Sequence, residues 1–264
     1  MVKISKTPVH VGFCFDERYL LPFYVTVTSL LNQSKTCEIF IHAIVTGLGS
    51  EAKRNIEYYI NEIGASISFY EIDLGEVKKL VIPRSGHFTS ANYYRLFLPS
   101  MLSDRINKIL YLDTDILVVN DVFELYSFDL GNNLIGAALD NEMPARPEIG
   151  FNTRGQYFNS GVLLINVKLW KTRLLKKALI NYIINHPDLI KYVDQDALNV
   201  IVGKQWCRLD NRFNLMNEDV QRNGNSVEPD KYLADKTLIH YNGFYKPWEI
   251  ECKHPFKQIY IQFC

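Results

Sequence analysis

The stretch VHVGFCFDERYLLPFYVTVTSLLNQSKTCEIFIHAIV, Val9 to Val45, carries the alternation from which the fold class follows. Val9 to Phe15 alternates as a strand does, Arg18 to Asn32 is an apolar segment of helix length, and Glu38 to Val45 returns to strand character. The order is β, α, β. Working outward, a helix is expected over about Ser50 to Ile63, with Ser50 as its N-cap, and then a third strand, Ser66 to Glu71. This pattern predicts an α/β protein with a Rossmann-like, mostly parallel central sheet and helices on both faces. Such sheets bind ligands beyond the carboxyl ends of their strands, so the residues just after each run are the ones to search for chemistry.

Further strands are expected over Ile106 to Leu112, Leu134 to Leu139 and Gly161 to Asn166, the last leading into a helix over about Val167 to Asn185. The segment Asn141 to Gln156, rich in Pro, Gly and Arg, is long for a connection and reads either as a lid or as a passive excursion. Asn211 to Asp235 reads as polar and irregular. No linker divides the chain, so residues 1–264 are expected to form one domain, with 249–264 as a C-terminal extension whose tail could be missing.

Composition narrows the function. With 47% hydrophobic and 22% charged residues, the 264-residue chain can bury a large core and is no disordered scaffold. Twenty-nine basic residues balance 29 acidic ones, which removes the global attraction a nucleic-acid binder relies on. Five cysteines without a CxxC pair or zinc spacing fit a reducing cytosol. No run is long and apolar enough to span a bilayer, which leaves a cytoplasmic protein, at most peripheral at the inner face of a membrane. Oligomeric state leaves no signature.

The sharpest local signal is LYLDTDILVV, Leu110 to Val119. In extended backbone Asp113 and Asp115 send their carboxylates to the same side of the chain. Unpaired they would repel; Mg²⁺ or Mn²⁺ removes the conflict, completing its shell with phosphate and water. Capping of a strand in a solvated loop is the plainer explanation for an isolated pair. Three more segments carry polar residues that a buried framework does not need. Asn159, Ser160 and Gly161 open an apolar strand, where Gly161 fits either a bulge or close ligand approach. Asp194-Gln195-Asp196 precedes a helical pattern; Asp194 suits an N-cap and Asp196 the first turn, but capping leaves Gln195 unexplained. His240 to Trp248 follows a strand-like run, Thr237 to Ile239, and gathers an imidazole, a glycine turn and Lys246. His240 is a candidate third ligand, and two oxygens with a nitrogen suit Mn²⁺ better than Mg²⁺. Arg95 lies amid aromatics, where a free surface arginine is out of place.

Together with the opening Val11 to Tyr19, these segments resemble glycosyltransferase family 8, the retaining transferases that include bacterial lipopolysaccharide galactosyl- and glucosyltransferases. The likeness covers about Val9 to Trp248 in the order and spacing of five motifs. It implies a GT-A fold, a UDP-hexose donor, an oligosaccharide, glycolipid or glycoprotein acceptor, and Mn²⁺, with Mg²⁺ as the alternative ion. By that resemblance Asp113, Asp115 and His240 hold the metal, and Cys14, Phe15, Asp16, Tyr19, Thr114, Gly243, Lys246 and His87 hold the nucleotide. Phe15 and Arg18 stand where the family more often has smaller or amide residues. Arg95, Asp140, Asn159, Asp194 and Gln195 surround the donor sugar, with Asp194 and Gln195 the catalytic candidates, and Tyr192 shapes the acceptor site. Two other readings stand beside it: a binding protein that kept the pocket and lost turnover, and a phosphatase of the haloacid-dehalogenase type with Asp113 as nucleophile. The latter usually places its DxD near the amino terminus and follows it with Thr or Val, where this chain has Leu117.

Overall fold

The computed structural model describes residues 7–84, 88–223 and 228–264, with the backbone alone at 222 and 223. Its strands in chain order are β1 (Thr7–Asp16), β2 (Cys37–Thr46), β3 (Ser66–Tyr70), β4 (Lys108–Leu112), β5 (Ile116–Val118), β6 (Ile135–Ala138), β7 (Val162–Asn166), β8 (Trp206–Leu209), β9 (Leu215–Met216) and β10 (Leu238–His240). Seven form the central sheet in the order β3-β2-β1-β4-β7-β6-β8, and β5-β10-β9 form a smaller one. The first four strands of the large sheet run parallel, and β6 is parallel to β8. Between them β7 is antiparallel to both neighbours, so the sheet is mostly rather than wholly parallel.

Two buried layers explain the sequence pattern. In β4, Ile109 and Tyr111 enter one apolar cluster while Leu110 and Leu112 enter the other; in β7, Leu163 and Ile165 divide in the same way from Val162 and Leu164. Such strands read as continuous apolar runs because helices cover both faces. Each Leu, Ile or Val so buried is worth about 1.5–3 kcal/mol. Gly12 belongs to this packing, since a Cβ there would lie 2.7 Å from Leu98 and 3.0 Å from Ile109.

Local details depart from expectation for identifiable reasons. The first helix is preceded by a 3-10 turn, Glu17–Tyr19, whose N-cap Asp16 accepts from the Arg18 amide; the α-helix is Leu20–Gln33. Ser50 is not a cap: it is the first residue of Ser50–Glu62, and the N-cap is Gly49. The expected helix over 167–185 is two, Val167–Thr172 and Leu175–Asn185, broken where Leu174 takes φ 52°. The segment read as irregular contains β9 and the helices Asn217–Asn223 and Pro229–Leu233. Residues 249–264 are tied to the third core cluster, where Phe256 and Tyr260 are buried with Tyr241 and Leu233.

Candidate active site

Asp113, Thr114 and Asp115 make the turn from β4 to β5, and three tethers fix it. The Asp113 amide donates to the Gly161 carbonyl at 2.8 Å, the Tyr241 amide to the Asp115 carbonyl at 2.9 Å, and the buried Thr26 hydroxyl reaches the carbonyls of Thr114 and Ile116 at 2.9 and 2.7 Å. Because β10 pairs antiparallel with β5, His240 lies opposite Ile116. Ligand atoms of Asp113, Asp115 and His240 thus fall within 4.8 Å of one another.

The imidazole is oriented from behind. His240 Nδ1 lies 2.9 Å from Asn214 Oδ1, and Asn214 in turn donates to Asn159 Oδ1, which also accepts the Gly161 amide. With the amide oxygen as partner, Nδ1 carries the proton and Nε2 presents a lone pair toward Asp115 Oδ1 at 3.3 Å. Asp115 Oδ1 is buried with no hydrogen-bond donor among the described residues. Acceptors facing acceptors in a buried site repel unless a cation lies among them, so two carboxylates and one imidazole nitrogen fit a divalent metal. Gly161 leaves the room: a Cβ there would stand 2.2 Å from His240 Cε1 and 2.8 Å from Asp113 Oδ2.

Lys246 Nζ donates to Asp115 Oδ2 at 2.7 Å and to the Tyr241 carbonyl at 2.8 Å. Burial works to raise the Asp115 pKa, but the Lys246 ammonium outweighs it and holds the carboxyl below its usual range. Asp113 is held differently. Arg95, buried and 4.6 Å from the Tyr111 ring centre, lies 2.8 Å from Asp113 Oδ1, which also accepts the Tyr111 hydroxyl. Arg95 also donates to the Ser160 carbonyl at 2.7 Å and reaches Asp194 Oδ2 at 3.2 Å, joining the two acidic motifs.

Asp194 does not cap its helix. The N-cap of Val193–Val202 is Tyr192, and the Asp194 carboxylate instead accepts the Ser160 hydroxyl at 2.9 Å. Burial raises its pKa to about 6 against the opposing pull of Arg95. Burial, reinforced by Glu218, likewise raises Asp140 to about 6. Gln195 Oε1 accepts the Ser160 amide at 2.9 Å.

These residues surround a cavity of about 410 Å³ that Cys14, Phe15, Tyr19, Thr114, Asp140, Asn159, Tyr192, Gln195, Gly243 and Lys246 also line. The Phe15 ring stacks on Phe23 within the core, 4.5 Å between centres. Asp16 stands beside the cavity, its carboxylate taken by Arg18 and within 3.3 Å of the Thr89 hydroxyl. His87 lies outside the described residues. The segment Asn141 to Gln156 is anchored at one point: buried Arg146 pairs with Asp196 at 2.7 Å and donates to the Leu189 carbonyl at 3.0 Å. Ser160, Asn214, Thr26 and Tyr111 were not among the expected site residues. Only Ser160 had a signal, its place beside Asn159.

Comparison with known proteins decides the family. The model of glycosyl transferase family 8 matches residues 10–252. The chain belongs to that family. It is 29% identical to General stress protein A of Bacillus subtilis, over 97% of this chain and 92% of that protein. It is 26% identical to the lipopolysaccharide 1,3-galactosyltransferase of Salmonella typhimurium, over 96% and 77%. Among solved structures, the galactosyltransferase LgtC in complex with donor and acceptor sugar analogs superposes with a TM-score of 0.84 at 26% identity, covering 97% of this chain and 95% of that one. The fold is accordingly GT-A, and family 8 membership sets the phosphatase reading aside.

Proposed function

We propose that this family 8 chain is a metal-dependent, retaining hexosyltransferase that moves galactose or glucose from a UDP-sugar to a hydroxyl of a glycan acceptor. The observation that carries this reading is the convergence of Asp113, Asp115 and His240 at the carboxyl end of the sheet, in one cavity with Arg95, Asp194 and Gln195. Manganese is preferred to magnesium because the set includes an imidazole nitrogen. Residues 1–264 act as one GT-A domain that includes the packed segment 249–264.

Cys14, Phe15, Tyr19 and Thr114 hold the nucleotide, Phe15 through its backbone because its ring is committed to the core. A bound divalent ion would neutralise charge on the diphosphate as the bond to the anomeric carbon breaks. Lys246, 2.7 Å from Asp115 Oδ2, can turn its ammonium to the same phosphate, so no carboxylic acid is needed to protonate the leaving group. Arg95 and Asp140 hold the donor sugar, and Asn159 supports the site from behind through Asn214 and Gly161. Asp194, bound by Arg95 and Ser160 with its side chain 2% exposed, acts as an electrostatic partner for the developing positive charge. Gln195, which lines the same cavity, is the second catalytic candidate, and its carboxamide is a poor nucleophile. Front-face attack, with the leaving phosphate taking the acceptor proton, retains configuration without a covalent intermediate.

Tyr192 contributes to the acceptor side. The acceptor is a cell-surface or protein-linked glycan, a reading supported by the lipopolysaccharide transferases among the relatives. Five cysteines, an odd set without a CxxC pair, suit a cytoplasmic location at or near the inner membrane face. Among the described residues no helix is long and apolar enough to cross a membrane. The test is UDP release from each UDP-sugar with Mn²⁺, with and without sugar acceptors. Release dependent on both metal and a UDP-hexose is expected; folded protein inert toward all donors would refute the reading.

A further inference from the structure

Asp196 lies outside the cavity and is fully buried, yet its carboxylate serves four donors. Oδ1 accepts Arg146 Nη1 and the Tyr157 hydroxyl, each at 2.7 Å; Oδ2 accepts the backbone amides of Lys191 at 2.6 Å and Tyr192 at 2.8 Å. Both amides immediately precede Val193, whose φ is +42°. A β-branched side chain in left-handed backbone is a genuine outlier and persists only where its surroundings impose it. On the far side of Val193 the chain is anchored again, with Asp194 on Ser160 and Arg95, and the Gln195 carboxamide on the Ser160 amide. The strained residue is thus stretched between two fixed points, and Asp196 is one of them.

We propose that Asp196 is a positioning residue that, by gripping the Lys191 and Tyr192 amides, holds Val193 left-handed and so aims Asp194 and Gln195 into the cavity. What Asp194 and Gln195 act on rests on the transferase reading above. Arg146 extends the grip to the segment 141–156, so the loop and the acidic motif are set by one carboxylate.

The test combines Asp196→Asn with Val193→Gly. An amide keeps one acceptor oxygen; the charged Arg146 guanidinium and the Tyr157 hydroxyl claim it, so the Lys191 and Tyr192 amides face the NH₂ group, lose their acceptor and release Val193. Asp196→Asn is expected to lower kcat about 10- to 100-fold while leaving the donor KM and UDP affinity within about threefold. Glycine occupies left-handed backbone without steric cost, so adding Val193→Gly should restore at least fivefold of the lost kcat. A merely structural role for Asp196 predicts no such rescue, and its absence overturns the proposal. If Asp196→Asn does not fold, melting of the single variants decides: strain at residue 193 requires Val193→Gly to melt above Val193→Ala, the reverse of the usual order in a helix, and the usual order would refute it. If the wild type turns over no UDP-sugar, the transferase reading fails separately. A crystal structure of Asp196→Asn then judges the positioning role by whether Val193 leaves positive φ and Asp194 parts from Ser160.

Discussion

The chain contains Asp-x-Asp twice, and the two copies behave differently because one lies at a strand end and the other opens a helix. In 113–115 the extended backbone sends both carboxylates to one side, where they converge with His240 and leave Asp115 Oδ1 without a donor among the described residues. In 194–196 the helical turn sends them apart: Asp194 into the cavity toward Arg95 and Ser160, Asp196 away from it toward four donors. Spacing alone therefore does not decide function. What separates a cation site from a structural clamp is whether the acceptors end up facing each other or facing donors.

Removing a carboxylate from the first motif is the sharpest way to break this contrast. Asp115→Ala is expected to lower metal-dependent turnover by roughly 1,000-fold or more, since an electrostatic stabiliser of the leaving group is lost, with the fold retained by circular dichroism. Turnover within tenfold of wild type would contradict the metal assignment and erase the difference between the two motifs.

The support behind the imidazole should matter less but measurably. Replacing Asn214 by Ala removes the acceptor that fixes the His240 tautomer and is expected to weaken Mn²⁺ binding roughly 10- to 100-fold, read by titration calorimetry without any substrate. Gly161→Ala should act in the same direction by forcing the ring aside. Unchanged Mn²⁺ affinity in both variants would mean that His240 is not a ligand.

How much of this was legible in the sequence depended on how local the cause was. The β-α-β opening and the two-faced burial of β4 and β7 are written in residues one or two apart, and so was the convergence of Asp113 with Asp115. The antiparallel direction of β7 was not, because a buried apolar run reads the same in both directions. Asp194 looked like a cap because Asp is a good one; only the tertiary placement of Arg95 and Ser160 redirects it. Asn214 bonds a histidine 26 residues away from inside a segment that reads as polar and irregular. Val193 carries no sign of its left-handed backbone, since valine is not a residue that favours it.

A third polar cluster, away from both motifs, sharpens the contrast by showing what a closed set of partners does. Across β1, β2 and β3, His10 Nδ1 lies 2.9 Å from His42 Nε2, and His42 Nδ1 lies 2.9 Å from the Tyr70 hydroxyl. Here donors meet acceptors around neutral rings, and there is no place for an added charge. Burial, then the neighbouring His10, lowers the His42 pKa to about 4. Because the unfolded chain binds this proton near pH 6.5 and the folded one only near 4, stability is full above pH 6.5 and falls as pH drops through that window. The loss attributable to His42 is on the order of 2–3 kcal/mol by pH 4. Asp194 and Asp140, with folded pKa values raised to about 6, change stability in the opposite sense between pH 6 and their unfolded values, so total acid stability does not isolate the histidine. The difference between wild type and His42→Asn does. Urea midpoints measured from pH 7 to pH 4 should fall less steeply for the variant, and parallel curves would show that His42 takes up its proton in the folded protein as readily as in the unfolded chain.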